Sequence, residues 1–163
     1  MVSEYCFKPI GYVRTRHSDE EVKASFEGVD GYIEVLEEYA EGLRGLEGFS
    51  HIIVIAYLHK TTEEQRRVLV VRPRRLVRLG ARLEDLPEVG VFATDSPHRP
   101  NPIALSILRL VSVSGRTLEV RNLDLFDGTP VLDIKPYTMS RRIEAPEYPK
   151  WYTKLVKKFR VEI

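Results

Sequence analysis

Residues His51 to Leu58, HIIVIAYL, form a near-continuous apolar run rich in β-branched side chains, and its length suits a strand buried on both faces. Such a strand needs others to cover it. The sequence supplies short β-favouring segments divided by turn signals: Phe7 to Thr15, an edge or bulged strand because it contains Pro9 and Gly11, then Tyr32 to Leu36, Val68 to Val71, Gly90 to Thr94, and Val131 to Ile134 after the turn at Asp127-Gly128. Ile107 to Val113 and Thr117 to Leu123 read as a hairpin across Ser114-Gly115-Arg116. Many short strands with frequent turns predict a mainly β fold, a barrel or a sandwich.

Helices are secondary in this chain. Glu37 to Leu46 predicts a short helix limited by its glycines, and Glu147 to Arg160 a C-terminal amphipathic helix with Trp151, Leu155, Val156 and Phe159 at helical spacing. The polar stretch His17 to Gly31 reads as a loop or flap, long enough to suggest a function. A chain of 163 residues fits one domain with a short tail. Its 25 basic and 24 acidic residues nearly cancel, so bulk charge does not announce a nucleic-acid binder. Arg72-Pro73-Arg74-Arg75 is a solvated loop or a phosphate contact. Cys6 is the only cysteine, which excludes an internal disulfide framework and a cysteine-built zinc site. The N-terminal MVSEYCFKPIGYV carries charges in place of an apolar leader, and no apolar run approaches membrane-spanning length, so a soluble cytoplasmic protein is expected.

No Gly-rich phosphate loop, G-x-S-x-G elbow, H-E-x-x-H helix or dinucleotide glycine pattern is present. Two dense clusters remain. In DSPHRPNPIALS, Asp95 to Ser106, three prolines fix φ and stiffen the segment around Arg99 and Asn101, either as a connector or as a site. In LDLFDGTPVLDIKPY, Leu123 to Tyr137, Asp124, Asp127, Asp133 and Lys135 surround a turn. Turn chemistry alone accounts for Asp127 and Gly128, and a surface ion pair accounts for Asp133 and Lys135 on one strand face. His51 reads as structural, whereas His59 and Lys60 stand at a strand end where sites form; neither histidine has metal-ligand spacing.

PIG at Pro9 to Gly11, GLEGFSHI at Gly45 to Ile52, the His59-Lys60 pair, GVFATDSPHRPNPIALS at Gly90 to Ser106 and DLFDGTPVLDIKPY at Asp124 to Tyr137 run in an order that resembles the TrmO family, also called YaeB or TsaA-like. The resemblance implies a single-domain β-barrel over residues 1–140 with short helices, and a C-terminal helical tail over 141–163. It implies a homodimer that uses S-adenosyl-L-methionine to methylate N6 of threonylcarbamoyladenosine next to the tRNA anticodon, at position 37. Cofactor contacts would fall on His59, Lys60, Asp95, Leu105, Leu125, Phe126, Asp127 and Gly128. The family's Pro-Arg-Gln segment in the early loop has no counterpart here, where Val22 to Ala24 offer only Lys23 as a cation. Asp95 stands where the family usually has arginine, which reverses the local charge, and Ala104 where it often has glycine.

Methyl transfer from a sulfonium is an in-line displacement that depends on positioning, and the acceptor nitrogen must lose a proton. Asp127 and Asp133 are the candidate bases, with Lys135 beside them. Arg99 and Lys135 suit phosphate or the threonyl carboxylate, and Asn101 can read a base edge. Two other readings stay open: a methyltransferase acting on another substrate, and a nonenzymatic module that binds or senses S-adenosylmethionine.

Overall fold

The computed structural model describes residues 3–161. In chain order its elements are β1 (Gly11–Arg14), α1 (Asp19–Ala24), β2 (Val29–Val35), β3 (His51–Tyr57), α2 (Glu63–Arg66), β4 (Val70–Val71), β5 (Val89–Gly90), β6 (Ile103–Ser114), β7 (Thr117–Leu123), β8 (Pro130–Pro136) and α3 (Lys150–Phe159), with short 3-10 turns between several of them. They divide between two compact units, one formed by Met1–Lys60 and Ile103–Arg141, the other by Thr61–Pro102 and Arg142–Ile163.

The first unit is a closed antiparallel barrel in the order β1-β2-β7-β6-β3-β8. Alternation builds it. Along β6, Ser106, Leu108 and Leu110 point inward while Leu105, Ile107 and Arg109 point outward. The inward side chains of the six strands, among them Val13, Ile33, Ile52, Val54, Leu108, Leu118, Val120 and Val131, form one buried core, so the barrel is filled rather than hollow. Hydrogen bonds between Gly11 and Val131 registers close the ring and leave no open edge. The predicted hairpin is β6 and β7, and β3 lies in the middle of the core as its composition requires.

The structure corrects four elements. The expected edge strand Phe7 to Thr15 contracts to Gly11–Arg14 and is paired on both sides, by β2 and β8. Pro9 lacks a donor, and position 11 suits glycine because a Cβ there would stand 2.5 Å from the Glu34 carbonyl oxygen. The polar loop from His17 contains the helix α1, since Ser18 and Glu21 form a reciprocal capping box. The strand expected from Tyr32 begins earlier, at Val29. Gly90 to Thr94 is not a strand beyond Gly90: Val91–Ala93 is a 3-10 turn, in which the Val91 carbonyl accepts from the backbone and hydroxyl of Thr94 instead of a sheet partner.

The second unit has its own small core of Leu76, Leu86 and Leu155, flanked by Ala81, Trp151 and Phe159. β4 and β5 form a two-stranded ribbon, and Leu76 comes from the 3-10 turn Arg74–Leu79. Arg72 donates from Nη1 to the Leu86 carbonyl at 2.5 Å and from Nη2 to Glu88 at 3.0 Å, so it staples the loop, while Arg74 and Arg75 of the same stretch are exposed.

Candidate functional site

Several of the predicted cofactor residues meet at one rim of the barrel. Phe126 lies in the turn before β8, with its ring faced by two ammonium groups: Lys60 Nζ is 5.2 Å and Lys23 Nζ 5.4 Å from the centroid. These are cation–π distances. Lys60 follows β3 and also pairs with Asp19 Oδ2 at 2.6 Å. Asp19 and Lys23 are i and i+4 on α1, so one face of that helix supplies a carboxylate and a cation together. The local sequence holds this turn firmly. The Asp127 carboxylate accepts from the Thr15 backbone N–H at 3.0 Å, Gly128 N–H donates to the Val13 carbonyl, and Thr129 N–H donates to the Phe126 carbonyl. Gly128 adopts φ 75°, which the turn requires and glycine supplies without steric cost. Leu125 is buried in the barrel core, anchoring the turn from below.

His59 is adjacent to this rim. Partial burial of its ring, followed by the neighbouring Lys60 ammonium, holds its pKa below the ordinary imidazole value of 6.5, while Asp19 acts in the opposite direction. The unfolded chain therefore takes up a proton more readily than the folded one. The corresponding stability is fully present above 6.5 and is lost as pH falls through the folded-state value. Melting curves between pH 8 and pH 5 are expected to show an acid-side loss of stability that is smaller in His59→Gln; an equal loss in both proteins would remove His59 from this role.

Other predicted residues lie elsewhere. Asp133 and Lys135 are on β8, opposite Ile55 and Ile53, with Lys135 Nζ 2.6 Å from Asp133 Oδ2. Asp127 is tied to the residue after β1 and Asp133 lies beyond the residue paired with its start, so the two carboxylates occupy opposite ends of that strand. Asp133 instead borders a hollow of about 520 Å³ lined by Tyr39, Leu43, Leu46, Phe49 and Ile134. Leu105 points outward from β6 and is 65% exposed; the next residue, Ser106, donates to Asp124 at 2.5 Å. His51 packs edge-on against Tyr137 and bonds Ser50, the structural role expected of it.

The proline segment belongs to the second unit up to Pro102. It is braced as its composition predicts, but partly by Arg99 itself, whose Nη2 donates to the Val91 and Thr94 carbonyls at 2.7 Å each. Ser96 and His98 backbone donors are held by the Thr94 and Ser96 hydroxyls. Asp95 and Asn101 are exposed. Sequence reasoning missed Asp19 and the contact of Thr15 with Asp127. The Ser18-x-x-Glu21 box was the available signal for Asp19, because a helix starting there puts Asp19 and Lys23 on one face.

The fold is thus a filled six-stranded barrel whose rim gathers Lys60, Lys23 and Asp19 around the Phe126 ring. The chain belongs to the tRNA-methyltransferase O N-terminal domain family, which matches residues 20–141. A probable S-adenosyl-L-methionine-binding protein of Pyrococcus abyssi is 40% identical over 136 residues, covering 81% of this chain and 67% of that protein. The tRNA (adenine(37)-N6)-methyltransferase of Escherichia coli is 36% identical over 146 residues, which cover 83% of this chain and 59% of the enzyme. The crystal structure of TrmO from Pseudomonas aeruginosa superposes with a TM-score of 0.64 at 29% identity, covering 89% of this chain and 61% of that one. The barrel implied by the family resemblance is thus the fold observed, and it is shared with that solved structure.

Proposed function

We propose that this chain is an S-adenosylmethionine-dependent tRNA methyltransferase that methylates N6 of threonylcarbamoyladenosine at position 37, acting in the cytoplasm as a homodimer. The observation that carries the reading is the Phe126 rim. An S-adenosylmethionine molecule presents a carboxylate, an ammonium, a sulfonium and an adenine, and the side chains present fit that set: Lys60 and Lys23 for the carboxylate, Asp19 for the ammonium, the Phe126 face for a ring or a cation. His59 and Gly128 frame the same rim. When bound, this donor supplies a methyl group whose bond to sulfur breaks as the bond to N6 forms, leaving S-adenosylhomocysteine.

This chain's own contribution is orientation and proton handling. Asp127, exposed in the turn that carries Phe126, is the carboxylate assigned to accept the proton lost from N6. Asp133 and Lys135 lie at the other end of β1 from this turn, which makes them weaker candidates for that step. Arg99 and Asn101 remain assigned to the substrate, Arg99 chiefly by stiffening the proline segment. An outward row on β6, where Ile103, Leu105, Ile107 and Val111 are each at least 40% exposed, supports the homodimer. No helix among the described residues is long and apolar enough to cross a membrane.

One observation favours a second reading. The exposed Asp95, in place of the arginine usual in the family, would suit a different methyl acceptor. Labelled S-adenosylmethionine incubated with the protein and either total tRNA or an RNase-treated extract separates the two. Label in tRNA alone is the expected result; label only in the RNase-treated extract would favour the second reading, and no transfer at saturating donor would overturn both.

A further inference from the structure

The near balance of charge in the whole chain conceals a segregation. The barrel unit holds 11 basic and 15 acidic residues, a net of −4, whereas the second unit holds 14 basic and 9 acidic residues, a net of +5. The excess positive charge that favours a polyanion is thus carried by the second unit.

Within that unit the cations are ordered. On α3, Lys150, Lys154, Lys157 and Lys158 stand at i, i+4, i+7 and i+8, along one exposed face. Trp151, Leu155 and Phe159, each one position and about 100° further round the helix, enter the small core with Leu76 and Leu86. Leu76 belongs to the 3-10 turn whose Arg74 and Arg78 are also exposed, so a second basic element flanks the same core. Local helix energetics account for only part of this row. The macrodipole favours Lys157 and Lys158 in the last turn, but Lys150 opens the helix with no acidic residue in its first turn, where a cation is disfavoured, and lysines three and four residues apart repel one another. An external anion would relieve that repulsion.

We propose that the lysine face of α3, flanked by Arg74 and Arg78, docks the phosphate backbone of an RNA stem. From Lys150 to Lys157 the helix rises about 10 Å, enough to lie along several successive phosphates of an RNA strand. The contact is with phosphates and carries no sequence preference. An anionic membrane is the competing partner for a basic amphipathic helix, but such binding needs the apolar face, and here that face is spent on Leu76 and Leu86. The inference rests on RNA being the substrate of the proposed enzyme, and it adds where the RNA is held.

The test measures binding of fluorescent tRNA across a salt series for the wild-type protein, for K150Q/K154Q/K157Q and for K150R/K154R/K157R. The glutamine variant is expected to bind about tenfold more weakly or worse at 0.1 M salt, with the slope of log affinity against log salt reduced by about 2. The arginine variant should keep the wild-type slope. Donor affinity by calorimetry should be unchanged in all three proteins, and the melting temperature of the glutamine variant should not fall below that of the wild type. Equal affinity and slope in the wild type and the glutamine variant would overturn the docking surface while leaving methyl transfer to tRNA intact. Absence of tRNA binding by the wild type, or lysine-dependent binding to phosphatidylserine vesicles in its place, would also overturn it. Transfer of label to tRNA by the wild type decides the enzymatic reading separately.

Discussion

Replacing Lys60 with alanine is expected to weaken S-adenosylmethionine binding by about 10- to 100-fold, the loss that follows when a hydrogen bond to a charged group is removed. Lys60 Nζ lies 2.6 Å from Asp19 and 5.2 Å from the Phe126 ring centroid, so one side chain connects the carboxylate and the aromatic face of the rim. The Lys60 side chain is 47% exposed, and ion pairs this open contribute less than about 1 kcal/mol to folding. The melting temperature should therefore stay within a few degrees of wild type, about the shift that 1 kcal/mol produces in a chain of this size. Calorimetric titration checks the effect. Unchanged affinity would remove Lys60 from the ligand site, and a parallel collapse of affinity and stability would make its role structural.

The second large effect falls on the fold. Gly28 has φ +79°, and a Cβ built on it would stand 2.3 Å from the carbonyl carbon of Asn122, which itself has φ 63°. Here β2 enters the barrel against the end of β7. Asn122 Nδ2 donates to the Glu27 carbonyl at 2.9 Å and Ser25 Oγ to the Gly28 carbonyl at 2.7 Å, so the backbone has little room to retreat. A left-handed conformation costs a non-glycine residue about 1–2 kcal/mol. Forced overpacking adds roughly 1–3 kcal/mol more. Gly28→Ala is thus expected to lose about 3 kcal/mol or more, read by denaturant unfolding. A loss below about 1 kcal/mol would mean that the close approach of the two strands is not rigid.

Those two residues also mark what the sequence could and could not disclose. The barrel strands were legible where one face meets the core: β6 and β7 alternate, their turn is marked by Ser114-Gly115-Arg116, and β3 is apolar on both faces. Elements governed by capping or by single hydrogen bonds were harder to see. α1 is polar and short, so hydropathy gives no sign of it, and only its capping box identifies it. The 3-10 turn at Val91–Ala93 depends on Thr94 and on Arg99, eight residues away from Val91. The packing of Leu155 on Leu76 and Leu86 joins segments far apart in sequence and has no local signature.

The candidate site followed the same division. Lys60, Phe126, Asp127 and Gly128 could be grouped from motifs, and the structure brings Lys60 and Phe126 together. Asp133 and Lys135 sit only a few residues further along, yet the extended rise of a strand carries them toward the other end of the barrel, where they pair with each other. Proximity in a motif did not translate into proximity in space. Arg99 shows a related effect, since its donors brace the loop that its prolines were expected to stiffen.

A crystal structure of the protein with S-adenosylhomocysteine tests the central claim most directly. The account predicts the amino-acid tail of the ligand within hydrogen-bonding distance of Lys60 and Asp19, and one of its other groups against the Phe126 ring. Ligand bound instead in the hollow lined by Tyr39, Leu43 and Phe49, with the Phe126 rim untouched, would contradict it.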